Sequence, residues 1–203
     1  MECGLLIVLS GPSGAGKGTI CKELCERNKQ YRLSISVTTR KPRKGEVDGK
    51  NYFFKDLEQF QKMVEENQLL EWAKVYDNYY GTPREYVEKS LKEGYDVILE
   101  IDIQGALKVK EKFPEGVFIF ILPPSMEELK KRIINRGTET EEEIMKRFKS
   151  AYDELNYISK YNYVVVNDDV EEAIKKIESI IIAEKCRVDR NKEYYLNIRE
   201  GLV

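Results

Sequence analysis

Residues 5–19 read LLIVLSGPSGAGKGT, an apolar run that stops at a cluster of small residues and a lysine. The run is short enough for a buried strand. Gly11, Gly14 and Gly16 allow left-handed backbone and close approach of the main chain to a ligand. A helix entered at about Lys17 aims several N–H groups and its positive end at one anion. Lys17 adds a charge suited to the β- and γ-phosphates of a nucleotide. The common spelling of such a loop has Ser or Thr directly after the lysine, to reach Mg²⁺. Here Gly18 stands there and the hydroxyl comes one residue later, on Thr19.

Outward from that loop, "DVILEI" (96–101), "VFIFIL" (117–122) and "YVVV" (163–166) read as further buried strands. Amphipathic stretches at 17–28, 103–112, 125–136, 141–160 and 169–185 read as helices. This alternation predicts an α/β fold, a three-layer core with a parallel sheet flanked by helices. Residues 34–95 break the rhythm. They are rich in Tyr, Arg, Lys and Gly, with strand-like pieces around one helical pattern at 56–67. They read as an insertion with its own small mixed sheet. "NRGTETEEE" (135–143) joins two helices through a charged turn and marks a helical lid, placed at 132–150. The core is then 1–33, 96–131 and 151–186, and 187–203 form a charged tail with no assigned role.

Composition narrows the chemistry. The 203 residues carry a net charge of -2, which argues against nonspecific nucleic-acid binding. No apolar run is long enough for a membrane span, and 5–9 is too short for a secretory signal. The four cysteines form no CxxC pair, so a zinc site or redox dithiol is not expected, and a reducing cytoplasm is. With no histidine, Ser-His and Cys-His mechanisms are excluded. Phosphoryl transfer works with the remaining set, because it rests on positioning and charge stabilisation.

Four more stretches carry chemistry. In "SISVTTRKPRKGEVDGKNYFF" (34–54), Arg40 and Arg43 flank Pro42, which holds the segment extended; they suit a bidentate phosphate clamp or a solvated basic loop, with Tyr52 as a further donor. In "LEWAKVYDNYYGTPREYV" (70–87), Glu71 offers two adjacent acceptors, matching the N1–H and N2–H₂ of guanine; a half-exposed surface pair with Trp72 is the plainer reading. Tyr80 and Thr82 flank Gly81 as a phosphate and a base contact. In "VILEIDIQG" (97–105), Glu100 and Asp102 end a buried strand, where open α/β sheets bind ligands. Asp102 suits a Mg²⁺-bound water, a substrate amino group or the cap of the next helix. Arg132, Arg136 and Arg147 surround the lid, either to close over a transferring phosphoryl group or to make pairs along a charged helix face.

Taken in order, "GPSGAGKGT", "SVTTRKPRKGE", "YFF", "LLEWA", "YYGT", "EIDIQG", "PPS", "RGTETEE" and "VVVNDD" resemble guanylate kinase over about residues 5–185. The resemblance implies a P-loop core, a GMP-binding insertion and a lid, and transfer of the γ-phosphoryl group of MgATP to GMP, with dGMP as an added acceptor. It implies that Gly11, Ser13, Gly14, Gly16, Lys17, Gly18 and Thr19 hold ATP phosphates, with Asn167 near adenine. Arg40, Arg43, Tyr52 and Tyr80 would hold the GMP phosphate. Ser36, Glu71 and Thr82 would read guanine, with Asp102 close to base and metal. Lys17, Arg136, Arg147 and Arg132 would stabilise the transferred group. Mg²⁺ would lie near Thr19 and Asp102 through water, with no direct protein ligand assigned. Scaffold domains of this fold that bind protein ligands typically lose part of the phosphate loop, which this chain keeps. A monomer and a homodimer both remain open.

Overall fold

The computed structural model describes residues 3–135 and 141–201. Among them, strands form two sheets. The larger is built from β1 (Leu6–Ser10), β2 (Tyr31–Leu33), β7 (Asp96–Glu100), β8 (Val117–Leu122) and β9 (Tyr163–Val166), in the order β2-β7-β1-β8-β9. Every neighbouring pair is parallel. Helices cover both faces, which explains why β1, β7 and β8 are buried at nearly every position. Ile7 and Leu9 face α1 (Lys17–Arg27) and α7 (Val170–Lys185). Leu6 and Val8 face α3 (Arg84–Lys92) and α4 (Ile103–Lys112).

The second sheet runs β4 (Phe53–Phe54), β3 (Val37–Thr38), β6 (Asn78–Pro83), β5 (Leu69–Val75). It is mixed: β3 and β4 are parallel, and β6 is antiparallel to both β3 and β5. Helix α2 (Leu57–Glu65) closes its small core through Phe60. That helix starts at a capping box in which Asp56 accepts from the Gln59 N–H and the Gln59 side chain accepts from the Asp56 N–H.

Helix α5 (Met126–Ile134) begins at Ser125, whose hydroxyl accepts from the Glu128 N–H. It packs on α6 (Glu141–Leu155) through Leu129, Ile133 and Ala151. The amphipathic pattern read as one helix over 141–160 ends at Leu155, and a separate 3₁₀ turn follows at Ile158–Lys160. Several elements were not read individually from the sequence: the short edge strand β2, strands β3 and β6 of the insertion, helix α3, and α8 (Lys192–Glu200) in the tail. No helix among the described residues is long and apolar enough to cross a membrane.

The sheets are joined at β5. Leu69 packs into the small sheet's core, and its neighbour Leu70 packs under the large sheet with Val8, Val87 and Leu99. Adjacent strand residues ordinarily point to opposite faces. An irregularity in register between Leu69 and Glu71 then brings Glu71 inward as well. Leu70→Ala is expected to destabilise the fold by about 3 kcal/mol, as for other fully buried leucines. Urea unfolding followed by circular dichroism checks this, and a loss within the range of a surface change would show that the junction carries little of the packing.

Candidate functional site

The phosphate-type loop leaves the C-terminal end of β1, the central strand, and enters α1. Gly11, Gly14 and Gly16 all have positive φ, at 139°, 94° and 92°. Close approach enforces two of them. A Cβ on Gly11 would lie 2.2 Å from the Ile121 carbonyl oxygen, and one on Gly16 would lie 2.2 Å from Nδ2 of Asn167. Asn167 is buried and donates to the Ala15 carbonyl at 2.8 Å, bracing the loop from behind. Lys17 lies folded over its own loop, donating to the carbonyls of Gly11 at 2.6 Å and Pro12 at 3.1 Å. Thr19 is exposed on the first turn of α1. Beside it, a Cβ on Gly18 would sit 3.5 and 3.6 Å from the carboxylate oxygens of Glu100. An acidic group therefore flanks the place where the common loop spelling carries a hydroxyl.

The loop opens into a cleft of about 600 Å³. Its walls include Gly11, Ser13, Gly14, Gly16, Lys17 and Gly18 on one side and Ser36, Arg40, Arg43, Tyr52, Glu71 and Tyr80 on the other. Glu100 and Asp102 form the floor, and Arg147, Ser150 and Glu154 of α6 form the third wall. Arg147 reaches the loop, donating to the Ser13 hydroxyl at 3.3 Å. Sequence positions more than a hundred residues apart thus meet at one cavity.

Arg40 is held in place by a carboxylate that the sequence reading assigned no role. Its two terminal nitrogens donate to the two oxygens of Glu46 at 2.9 and 2.8 Å. The Arg43 N–H also donates to Glu46, at 2.7 Å. The bond from Arg40 keeps the Glu46 carboxyl below the usual carboxylate range. The visible signal for Glu46 was a lone acid closing the basic run Arg40, Lys41, Arg43, Lys44. Tyr52 and Tyr80 meet edge to face at 6.0 Å beside this pair, and burial pushes the Tyr52 phenol up to about 12, so it stays a donor.

Glu71 is buried, only 4% exposed, so the plainer reading of a half-exposed pair with Trp72 does not hold. Oε1 accepts from the Thr82 hydroxyl at 2.7 Å. Oε2 lies over Gly105, where a Cβ would come within 2.7 Å of it. Burial pushes the carboxyl up to about 7, with nearby Asp102 adding to the rise and Thr82, Lys108 and Lys112 opposing it. Asp102 does cap a helix: its Oδ1 accepts from the N–H groups of Gln104 and Gly105 at the start of α4. It also lines the cleft, so capping and a site role coexist.

Not every expected residue faces the cavity. Thr82 is fully buried behind Glu71. Arg132 is turned to Glu128 on its own helix and donates to the Asn167 carbonyl at 3.1 Å. Arg136 lies outside the described residues. Glu154, which the sequence reading left unassigned, accepts from Ser150 at 3.0 Å, and burial raises its carboxyl against the lowering effect of Lys17.

A family model described as guanylate kinase matches residues 4–184. A protein named guanylate kinase from Caldanaerobacter subterraneus is 77% identical over 98% of this chain and 97% of its own. Another of that name from Clostridium tetani is 65% identical over 100% of this chain and 97% of its own. Among solved structures, the crystal structure of guanylate kinase from Anaplasma phagocytophilum matches with a TM-score of 0.81 at 37% identity, covering 97% of this chain and 95% of that one.

The Glu71 environment has a measurable consequence for the empty protein. Its folded pKa lies above the ordinary value, so the favourable contribution of the neutral carboxyl is complete at acid pH and is lost as pH rises through about 7. Glu71→Gln retains an acceptor for Thr82 without the buried charge. The melting temperature of the variant relative to the parent is expected to rise between pH 5 and pH 8. Thermal melts at both pH values check this, and an unchanged difference would mean that the carboxylate is well solvated.

Proposed function

The chain belongs to the guanylate kinase family, and from that premise we propose that this cleft transfers the γ-phosphoryl group of ATP to GMP, with dGMP as a further acceptor. The observation that carries the reading is the buried carboxylate of Glu71 at one end of a cleft whose other end is the phosphate loop. A buried acid here needs donors, and guanine supplies two side by side. Adenine presents a lone pair at N1 instead, which sets an acceptor against the carboxylate. Sites built on such pairing reject the wrong base by as much as about 10⁴-fold.

In this reading the donor phosphates sit on the N–H groups of the loop, bordered by Ser13, Gly18 and Thr19. Lys17 exchanges its bonds to the Gly11 and Pro12 carbonyls for phosphate oxygens. Asn167 borders adenine from behind the loop. Arg40 and Arg43, with the hydroxyls of Tyr52 and Tyr80, receive the GMP phosphate, and Glu46 keeps Arg40 in its forked orientation. Ser36 and Asp102 complete the contacts to the base, and Thr82 acts through Glu71. Arg147 lies between the two ends, where charge develops on the equatorial oxygens, and closure of the lid brings in Arg136 and Arg132. The acceptor phosphate is largely ionised near neutral pH, so no general base is required. That agrees with a chain that has no histidine.

Magnesium fits the donor set. Glu100 and Asp102 offer hard oxygen ligands on the cleft floor, with Glu100 against Gly18, and they would hold the ion mostly through its waters. When bound, the ion neutralises charge on the donor phosphates.

An ADP-release assay with MgATP and GMP, dGMP, AMP, CMP or UMP tests the reading. Turnover is expected with the two guanine acceptors and only at trace level with the others. Equal use of another base would overturn the role of Glu71, and no turnover with any acceptor would overturn the reaction. Lys17→Ala is expected to lower kcat by at least about 10²-fold, the scale of losing one oriented charge contact. Its melting temperature should stay near the parent's. Near-normal turnover in that variant would overturn the phosphate assignment.

A further inference from the structure

β5 is an edge strand: β6 pairs with one side of it, and the carbonyls on its other side face α4. Two lysines of α4 meet those carbonyls. Lys112 donates from Nζ to the Leu70 carbonyl at 2.6 Å, and Lys108 donates to the Trp72 carbonyl at 2.6 Å. These carbonyls flank Glu71. The match follows from two repeats. Residues four apart on a helix are separated by about 6 Å along its axis. Residues two apart on a strand are separated by about 6.7 Å. With α4 antiparallel to β5, both lysines therefore reach carbonyls on the same edge. The same pairing sets Gly105, one turn before Lys108, directly under Oε2 of Glu71.

We propose that Lys108 and Lys112 are positioning residues for guanine recognition, clamping β5 to α4 so that Glu71 is held over Gly105. The proposal rests on the reading of Glu71 as the base-reading group. Neither lysine lines the cleft, so an effect on GMP passes through Glu71, by way of its placement on β5 or of its ionisation. A slip of one residue along this edge would turn Glu71 out of the site, because strand side chains alternate. Lys108 also lies over the Trp72 ring, 4.8 Å from its centre, which gives the clamp a second hold on the same residue. The ammonium charges favour the ionised form of Glu71, against the opposing charge of Asp102. The phosphate clamp of Arg40 and Arg43 lies between β3 and β4, at the far side of that sheet. The base reader is thereby tied to the core, while the phosphate clamp is carried on strands that the lysines do not touch.

The test is steady-state kinetics on the full chain carrying Lys108→Met and Lys112→Met together, which keeps an unbranched apolar stem and removes both donors. KM for GMP is expected to rise about fivefold or more, the effect of losing charged hydrogen bonds of ordinary strength. Values of kcat and of KM for ATP should stay within about twofold of the parent, since the phosphate machinery is untouched. Lys108→Arg with Lys112→Arg should restore KM for GMP, because arginine also donates to carbonyls. In a Glu71→Gln background the methionine pair should add little further loss. An unchanged KM for GMP, or a matching loss in kcat, KM for ATP and melting temperature, would overturn the proposal. If Glu71→Gln raises KM for GMP and the lysine variants do not, only the clamp fails. If Glu71→Gln itself has no effect, the base reading fails and takes the clamp with it.

Discussion

Leu69 and Leu70 are neighbours in the chain and lie in different cores. That single division fixes the geometry of the acceptor end. Burying two adjacent leucines on opposite sides holds β5 in one register, and the irregularity beside them turns Glu71 inward. Without apolar burial on both sides, nothing would offset the cost of placing a carboxylate where it is 4% exposed. In the proposed reading, the burial that raises the Glu71 carboxyl would also be the condition for discrimination, since an acid that water can satisfy gains little from choosing one base over another.

The cations of the cleft are engaged before any substrate arrives. Lys17 is held by two carbonyls of its own loop, and Arg40 is forked onto Glu46. The two arrangements act differently. The carbonyls around Lys17 are neutral and would yield to the phosphate oxygens of the proposed donor. Glu46 is a charged partner that also accepts from the Arg43 backbone, so it stays with Arg40 and orients the rest of the guanidinium. A guanidinium has five donors, and the two facing Glu46 leave others for a phosphate. Pre-orientation lowers the entropy lost on binding, and the Glu46 carboxylate offsets repulsion between the two neighbouring arginines.

How much of this was legible in the sequence depended on how local each signal was. The loop at 11–17 was readable because strand, glycines and lysine are contiguous, and so were the buried strands, whose apolar runs need no partner to be recognised. Helix α3 was hidden because β6 runs straight into it at Pro83, with no polar cap to mark its start. The strand β2 spans only three residues, too few for a period to show. The site residues followed the same rule. Arg40 and Arg43 stood out by their spacing, whereas Glu46 looked like one acid in a charged loop. From its own stretch Glu71 read as a surface residue, because its burial comes from Gly105, Thr82 and α4, none of which is contiguous with it. The ordered set of motifs supplied what local spacing did not.

The unusual loop spelling can be argued from the same packing. A Cβ at position 18 would sit in ordinary contact with the Glu100 carboxylate, 3.5 Å from its nearer oxygen, so a serine there would lie against the acid. With glycine there, the acid from the end of β7 keeps that space. β7 lies beside β1 in the parallel sheet, and its register pairs Leu9 with Glu100. Strand pairing therefore fixes the backbone from which the Glu100 side chain reaches the base of the loop. Glycine at 18 and an acid at 100 are complementary: a hydroxyl on α1 is given up, and a carboxylate from the sheet stands beside the loop in its place. In the proposed reading, such a carboxylate would hold Mg²⁺ through the ion's waters and leave most of its hydration shell intact.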